Sequence, residues 1–192
     1  MQYEVELKFP LVDGDSVRLE LEALGAEKRG SHREVDSYLR HPSRSFQSTN
    51  EALRVRESQG QLRVTYKGPK IDATTKTRLE IELELAPGSS SYAQLIEFWR
   101  LLGFEPVRQV TKVREEYVVN WLGRSVSVCW DHVTGLGDFI ELEISSGPAL
   151  LEESRQILNS LADHLGLHHS ERRSYLELLL ENDPATADEP EK

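Results

Sequence analysis

Acids and bases in this chain recur at every second position, with apolar residues between them. Glu4 and Glu6 flank Val5 and are followed by Lys8. Arg54 and Arg56 flank Val55, Arg78 leads into Glu80, Glu82 and Glu84, and Glu141 and Glu143 flank Leu142. Arg63, Lys67, Lys112, Arg114 and Asp131 hold equivalent positions in further segments of the same pattern. If these side chains converge, the chemistry is narrow. Several carboxylates in one place repel each other unless a cation sits among them. An all-oxygen donor set selects Mg²⁺ or Mn²⁺, with Ca²⁺ admissible, over zinc. Arg and Lys opposite such an ion would clamp an anion with several oxygens, phosphate above all. Metal on one wall and bases on the other describe a bound polyphosphate. No Walker sequence or glycine-rich loop is present, so a backbone cradle for the phosphates is not expected.

The elements that must position these residues read mainly as strands, because apolar and charged residues alternate with period 2. The segments are Met1–Pro10, Ala52–Glu57, Gln61–Gly68, Thr77–Ala86, Thr111–Val119, Arg124–His132 and Asp138–Ser145, with His32–Leu39 a weaker example. Helical spacing appears over Asp15–Leu24, Ser90–Leu102 and Ala149–Leu165, each followed by glycine, with Asp15 as the expected N-cap of the first. Ser174–Glu181 fits a helix or a strand. Pro42–Asn50 and Gly68–Lys76 read as polar loops, with their bases in solvent. Asn182–Lys192, rich in Pro, Ala, Asp and Glu, reads as a disordered acidic tail after one domain over residues 1–181. A Glu-apolar-Glu strand followed by a helix ending in Leu-Gly occurs three times, at Glu4–Gly25, Glu80–Gly103 and Glu141–Gly166. Either the fold contains duplicated units or the motif recurs by chance in an acidic β protein.

The three helices can cover the apolar strand faces, which leaves the charged faces on the other side. One arrangement is an open antiparallel sheet with its polar face in solvent. The other is a sheet closed on itself with the charges inside, and a barrel of about eight strands has room there for one small ligand.

Composition limits the function further. The chain has 192 residues, of which 38% are hydrophobic and 29% charged, and its net charge is −10 from 33 acids and 23 bases. That balance disfavours nucleic-acid polymers and anionic membrane surfaces as partners. No apolar stretch approaches a membrane span. The single cysteine, Cys129, cannot form an internal disulfide, and a cytoplasmic location is expected. The six histidines show no ligand spacing and read as surface or loop residues. Cys129 reads as a small packing residue.

Taken in order, Glu4-Val5-Glu6-Leu7-Lys8, Ala52-Leu53-Arg54-Val55-Arg56, Thr65-Tyr66-Lys67-Gly68-Pro69, Arg78-Leu79-Glu80-Ile81-Glu82, Lys112-Val113-Arg114 and Asp131 through Glu143 resemble the CYTH superfamily of triphosphate tunnel metalloenzymes. The resemblance runs from Met1 to about Leu180. It implies an α+β fold, an eight-stranded antiparallel β-tunnel (a closed barrel) with a charged interior and helices packed outside. It implies Mg²⁺ or Mn²⁺ on Glu4, Glu6, Glu141 and Glu143, and triphosphate on Lys8, Arg54, Arg56, Lys67, Arg78, Lys112 and Arg114. Lys8, Arg114 and Asp131 are then the expected catalytic residues, with Glu80 and Glu82 as supporting acids. Arg63 and Glu84 share the inward parity. Asp36-Ser37-Tyr38, the Tyr-Lys-Gly-Pro turn, Leu136–Glu143 and Ser174-Tyr175-Leu176 look most like the class IV adenylate cyclase branch. This implies conversion of ATP to cyclic AMP and pyrophosphate. Hydrolysis of inorganic, nucleoside or thiamine triphosphate is the alternative, and a non-catalytic polyphosphate- or nucleotide-binding module is the alternative of another class. The resemblance also allows a homodimer.

Overall fold

The structure is a computed structural model, and residues 3–71 and 75–182 are described. Strands β1 (Tyr3–Pro10), β2 (Glu27–Arg40), β3 (Ala52–Ser58), β4 (Gln61–Lys67), β5 (Arg78–Glu84), β6 (Glu105–Trp121), β7 (Arg124–Val133) and β8 (Gly137–Ser146) close into one antiparallel barrel. Its order is β1-β5-β4-β3-β2-β6-β7-β8. Helices α1 (Gly14–Ala23), α2 (Phe46–Thr49), α3 (Tyr92–Leu101), α4 (Leu151–His164) and α5 (Tyr175–Glu181) lie between or after the strands.

The barrel is inverted relative to an ordinary one, and the period-2 pattern dictates this. Outward residues are apolar and need cover. Val5, Leu7, Val128, Ile140 and Leu142 pack beneath α1 and α4 against Leu21, Leu158 and Leu161. Leu39, Leu53, Val55 and Val64 pack against Phe46 of α2 and the half-buried face of α3. Inward residues are charged and pair across strands instead. Opposed in register are Glu4 and Arg78, Lys8 and Glu141, Glu34 and Lys112, Asp36 and Arg56, Lys67 and Glu80, and Arg114 and Asp131. Such pairs stabilise a sheet where like charges would destabilise it.

At one end the inward positions turn apolar. Tyr38, Val110, Val133 and Phe139 each lie two residues from Asp36, Lys112, Asp131 and Glu141, respectively, on the inward parity, and they pack with Tyr175 and Leu179 of α5. This cluster plugs that end of the barrel. Ser174–Glu181 is therefore helical. Its capping box explains why: Ser174 accepts from the Glu177 amide while Glu177 reaches back to the Ser174 amide.

Several expectations change. The N-cap of α1 is Asp13, whose side chain accepts from the Ser16 amide, and Asp15 lies in the first turn. Pro42–Asn50 holds the short helix α2. The weak strand at 32–39 is part of the fourteen-residue β2, whose long partner β6 extends it beyond its own alternation. β5 lacks helical cover, so outward Ile81 and Leu83 are 49% and 62% exposed. Each Glu-apolar-Glu strand does run into a helix, and Gly25, Gly103 and Gly166 after them have φ of +69°, +87° and +67°. These are left-handed stops that a β-carbon would strain. The acidic tail beyond residue 182 lies outside the described residues. No helix among the described residues is long and apolar enough to cross a membrane.

Candidate active site

The barrel encloses a cavity of about 710 Å³ lined almost wholly by charged and polar side chains. The acids divide into two groups. Glu4, Glu6 and Glu143 each place one carboxylate oxygen so that all three lie within 4.8 Å of one another. Glu6 and Glu143 face each other directly across β1 and β8. Burial, and then the nearby Glu4 charge, push the Glu143 carboxyl well above the usual range. Three hard oxygen donors in mutual repulsion fit a divalent ion such as Mg²⁺ or Mn²⁺, and these residues would hold it. Glu141 lies outside the trio, and its carboxylate accepts from Arg114.

The second group of acids holds the bases. Asp36 accepts from Arg56 Nε at 2.6 Å and Nη2 at 2.7 Å, and Glu34 accepts from Arg56 Nη1 at 2.8 Å. Burial alone would raise the Glu34 carboxyl, but Lys112 and Arg56 hold it down at about 2. Asp131 is fully buried and accepts from Lys112 Nζ at 2.8 Å and from Arg114 at 2.7 and 2.6 Å. Glu80 holds Lys67, and Glu82 and Glu84 lie within 3.4 and 2.6 Å of Arg63. Arg56 and Arg63 face each other across β3 and β4, a like-charged pair of the opposite sign to Glu6 and Glu143. Arg54 Nε and Arg78 Nε are buried without hydrogen-bond partners. Arg78 Nε has the Glu80 carboxylate 3.4 Å away as an ion-pair partner, whereas a buried Arg54 Nε without a hydrogen bond, in a wall that also holds facing guanidinium groups, is what an anion with many oxygens would satisfy.

Lys8 stands apart. Its ammonium donates to the Arg173 carbonyl at 2.5 Å and lies 4.1 Å from the Tyr175 ring centroid, at the plugged end. Burial, and then the neighbouring Lys76, push it well below the usual lysine range. Thus Glu4, Glu6, Glu80, Glu82, Glu141, Glu143, Arg54, Arg56, Lys67, Arg78, Lys112 and Arg114 line one cavity, with Lys8 and Asp131 buried behind its wall.

Other lining residues fall outside the sequence motifs. Lys76 belongs to a segment expected as a solvated loop, yet it is 4% exposed, and its ammonium donates to Glu6 at 2.6 Å. Burial alone would lower it, but Glu6 and Glu141 raise it. Its amide also donates to the Glu6 carbonyl, which carries the β1–β5 seam past the end of β5. Glu34 and His32 line the cavity from β2, with the imidazole 3.2 Å from the Glu34 carboxylate. Their signal in the sequence is the alternation with Val35, Ser37 and Leu39. For His32 this corrects the expectation of a surface residue. Cys129 is a small buried wall residue on β7, opposite Glu116 and Glu141, and burial followed by Glu143 pushes its thiol well up.

A closed barrel with a carboxylate trio opposite facing arginines defines a class, and comparison with known proteins agrees. The CYTH domain model matches residues 2–175, and this chain belongs to the CYTH domain family. MJ0240 of Methanocaldococcus jannaschii, provisionally named an adenylate cyclase, is 37% identical over 91% of this chain and 97% of its own. Adenylate cyclase CyaB of Aeromonas hydrophila is 33% identical over 91% of this chain and 87% of its own. Among solved structures, the PH1819 protein of Pyrococcus horikoshii OT3 superposes with a TM-score of 0.81 at 38% identity, covering 94% of this chain and 99% of that one.

Proposed function

We propose that this chain is a divalent-metal-dependent class IV adenylate cyclase that converts ATP to cyclic AMP and pyrophosphate. The observation that carries the reading is the placement of like charges. Where two charged inward residues are opposed in register their signs otherwise differ, but Glu6 faces Glu143 and Arg56 faces Arg63. A cation relieves the first pair and a polyphosphate the second. The name of the Aeromonas relative supports the choice of reaction.

Glu4, Glu6 and Glu143 would hold Mg²⁺ or Mn²⁺. When bound, the ion lowers the cost of ionising the attacking hydroxyl and screens the charge of the triphosphate. Arg54, Arg56, Arg63, Lys67 and Arg78 bind phosphate oxygens. Lys112 and Arg114, held in fixed orientation by Asp131, keep the triphosphate in line and take up charge as pyrophosphate leaves. The ribose 3′ oxygen loses its proton to solvent water and bonds to the α-phosphorus, while the bond from that phosphorus to the bridging oxygen of pyrophosphate breaks and pyrophosphate leaves with that electron pair. Lys8 supports this wall from behind. Glu141 steadies Arg114, Glu80 orients Lys67, and Glu82 orients Arg63. The buried lone thiol fits a reducing cytoplasm.

A triphosphatase is the second reading, favoured by the lining itself. Among the described lining residues only Tyr38, Tyr175 and His32 carry rings, and the two tyrosines belong to the plug. An inorganic triphosphate needs no further contact. Incubation with Mg²⁺ or Mn²⁺ and either ATP or inorganic tripolyphosphate, followed by chromatography, separates the two. Cyclic AMP with pyrophosphate is the expected outcome. Orthophosphate without cyclic AMP would replace the cyclase by the triphosphatase, and no turnover of either would overturn both.

A further inference from the structure

Tyr175 is the first residue of α5, outside the barrel strands, yet its side chain reaches three charged groups of the wall. Its hydroxyl donates to Asp131 Oδ2 at 3.0 Å. Its ring lies 4.1 Å from the Lys8 ammonium and 5.3 Å from that of Lys112. Asp131 is already shared by Lys112 and Arg114, and Oδ2 alone takes bonds from Lys112, Arg114 and Tyr175. A carboxylate with two oxygens can tilt between such donors, and the third donor fixes its plane. Burial, followed by the charges of Glu141 and Asp131, keeps the phenol protonated and so a donor. The helix itself is held in place independently. The Glu171 amide donates to the Lys8 carbonyl, Lys8 donates to the Arg173 carbonyl, and Lys70 donates to the Arg172 carbonyl at 2.9 Å.

We propose that Tyr175 is a positioning residue for the triphosphate site: through Asp131 it sets the orientation of Lys112 and Arg114. The inference rests on the triphosphate reading above. It does not depend on which phosphorus is attacked.

The test compares Tyr175→Phe with Leu176→Ala. Tyr175→Phe removes one oxygen and keeps the ring in the plug. Leu176→Ala trims the neighbouring residue, which packs on the same apolar cluster with no polar contact to the wall. Calorimetric binding of inorganic tripolyphosphate in the presence of a chelator reads the bases without the metal, and kcat/KM with Mg²⁺ reads them in turnover. Tyr175→Phe should weaken tripolyphosphate binding about tenfold and lower kcat/KM by a similar factor, as expected where a hydrogen bond to a charged group is lost. Leu176→Ala should lower the melting temperature while leaving the dissociation constant within about twofold. Normal binding by Tyr175→Phe overturns the role of Tyr175 alone, and so does equal weakening by Leu176→Ala, which would indicate a merely structural part. A wild-type protein that binds no tripolyphosphate overturns the triphosphate reading and this inference together.

Discussion

Glu6 on β1 and Glu143 on β8 stand directly opposite each other and both face the barrel interior, with Glu4 beside them. Lys76 bonds Glu6 at 2.6 Å and Arg114 lies 3.8 Å from Glu143, which offsets part of the repulsion between the facing carboxylates, and a divalent ion shared by the trio would offset the rest. Saturating Mg²⁺ or Mn²⁺ should therefore raise the melting temperature by about 5–10 °C, as expected for an ion at roughly a hundredfold its dissociation constant on a domain this size. Glu143→Gln should remove most of that shift and leave the metal-free protein as stable as the wild type. Differential scanning calorimetry with and without a chelator measures both. A shift that survives in the variant would place the ion elsewhere.

Arg63 is the more exposed member of the facing arginine pair, with a third of its side chain open to solvent. Its removal should affect ligand more than fold. Arg63→Gln is expected to weaken tripolyphosphate binding about tenfold, or about 1.4 kcal/mol, and to flatten its dependence on salt. The melting temperature of the free protein should move by no more than about 2 °C. Isothermal titration at two ionic strengths tests this.

The Glu34 carboxyl, held at about 2 by Lys112 and Arg56, makes stability depend on acidity. Its folded value lies below the ordinary 4.5. Its contribution is therefore complete above about pH 4.5 and is lost as pH falls through 2. The contribution is roughly 3 kcal/mol, because each tenfold change in proton affinity is worth about 1.4 kcal/mol. Urea midpoints measured from pH 6 to pH 2.5 should fall less steeply for Glu34→Gln than for the wild type, from a lower starting stability at pH 6. Parallel curves would show that the carboxylate is not held down.

Gly14 opens α1, and a β-carbon there would lie 2.6 Å from the Trp130 ring, which also carries the Arg18 guanidinium 4.3 Å from its centroid. Alanine is favoured over glycine by about 1 kcal/mol in a helix interior, though less at a first position. Overpacking a rigid ring costs about 1–3 kcal/mol, so the clash should win. Gly14→Ala should lower stability by about 1–2 kcal/mol, with a shift in tryptophan fluorescence. A more stable variant would show that the ring yields freely.

Much of the barrel is legible because period-2 alternation survives burial on either face. The charged runs at Glu4–Lys8 and Arg78–Glu84 show which residues share a side, and the ordered motifs show which side is inside. Register is not legible. That Glu6 meets Glu143 and Arg56 meets Arg63 depends on how the strands slide, and no local pattern encodes it. Lys76 is hidden for a related reason. It lies in an irregular stretch after Gly68-Pro69 and reaches the cavity only because its amide continues the pairing to Glu6. β2 gives a weak signal because Gly30 and Ser31 interrupt its alternation and its length is imposed by β6.

The apolar cluster around Tyr38, Val110, Val133, Phe139 and Tyr175 makes the barrel a cup with a floor. A cup has one rim. A triphosphate of the kind proposed would enter and leave by it, so whichever fragment sat against the floor would depart after the one above it. An anionic polymer longer than the cup cannot be threaded through and shortened from both sides. It could be seated only by one tip.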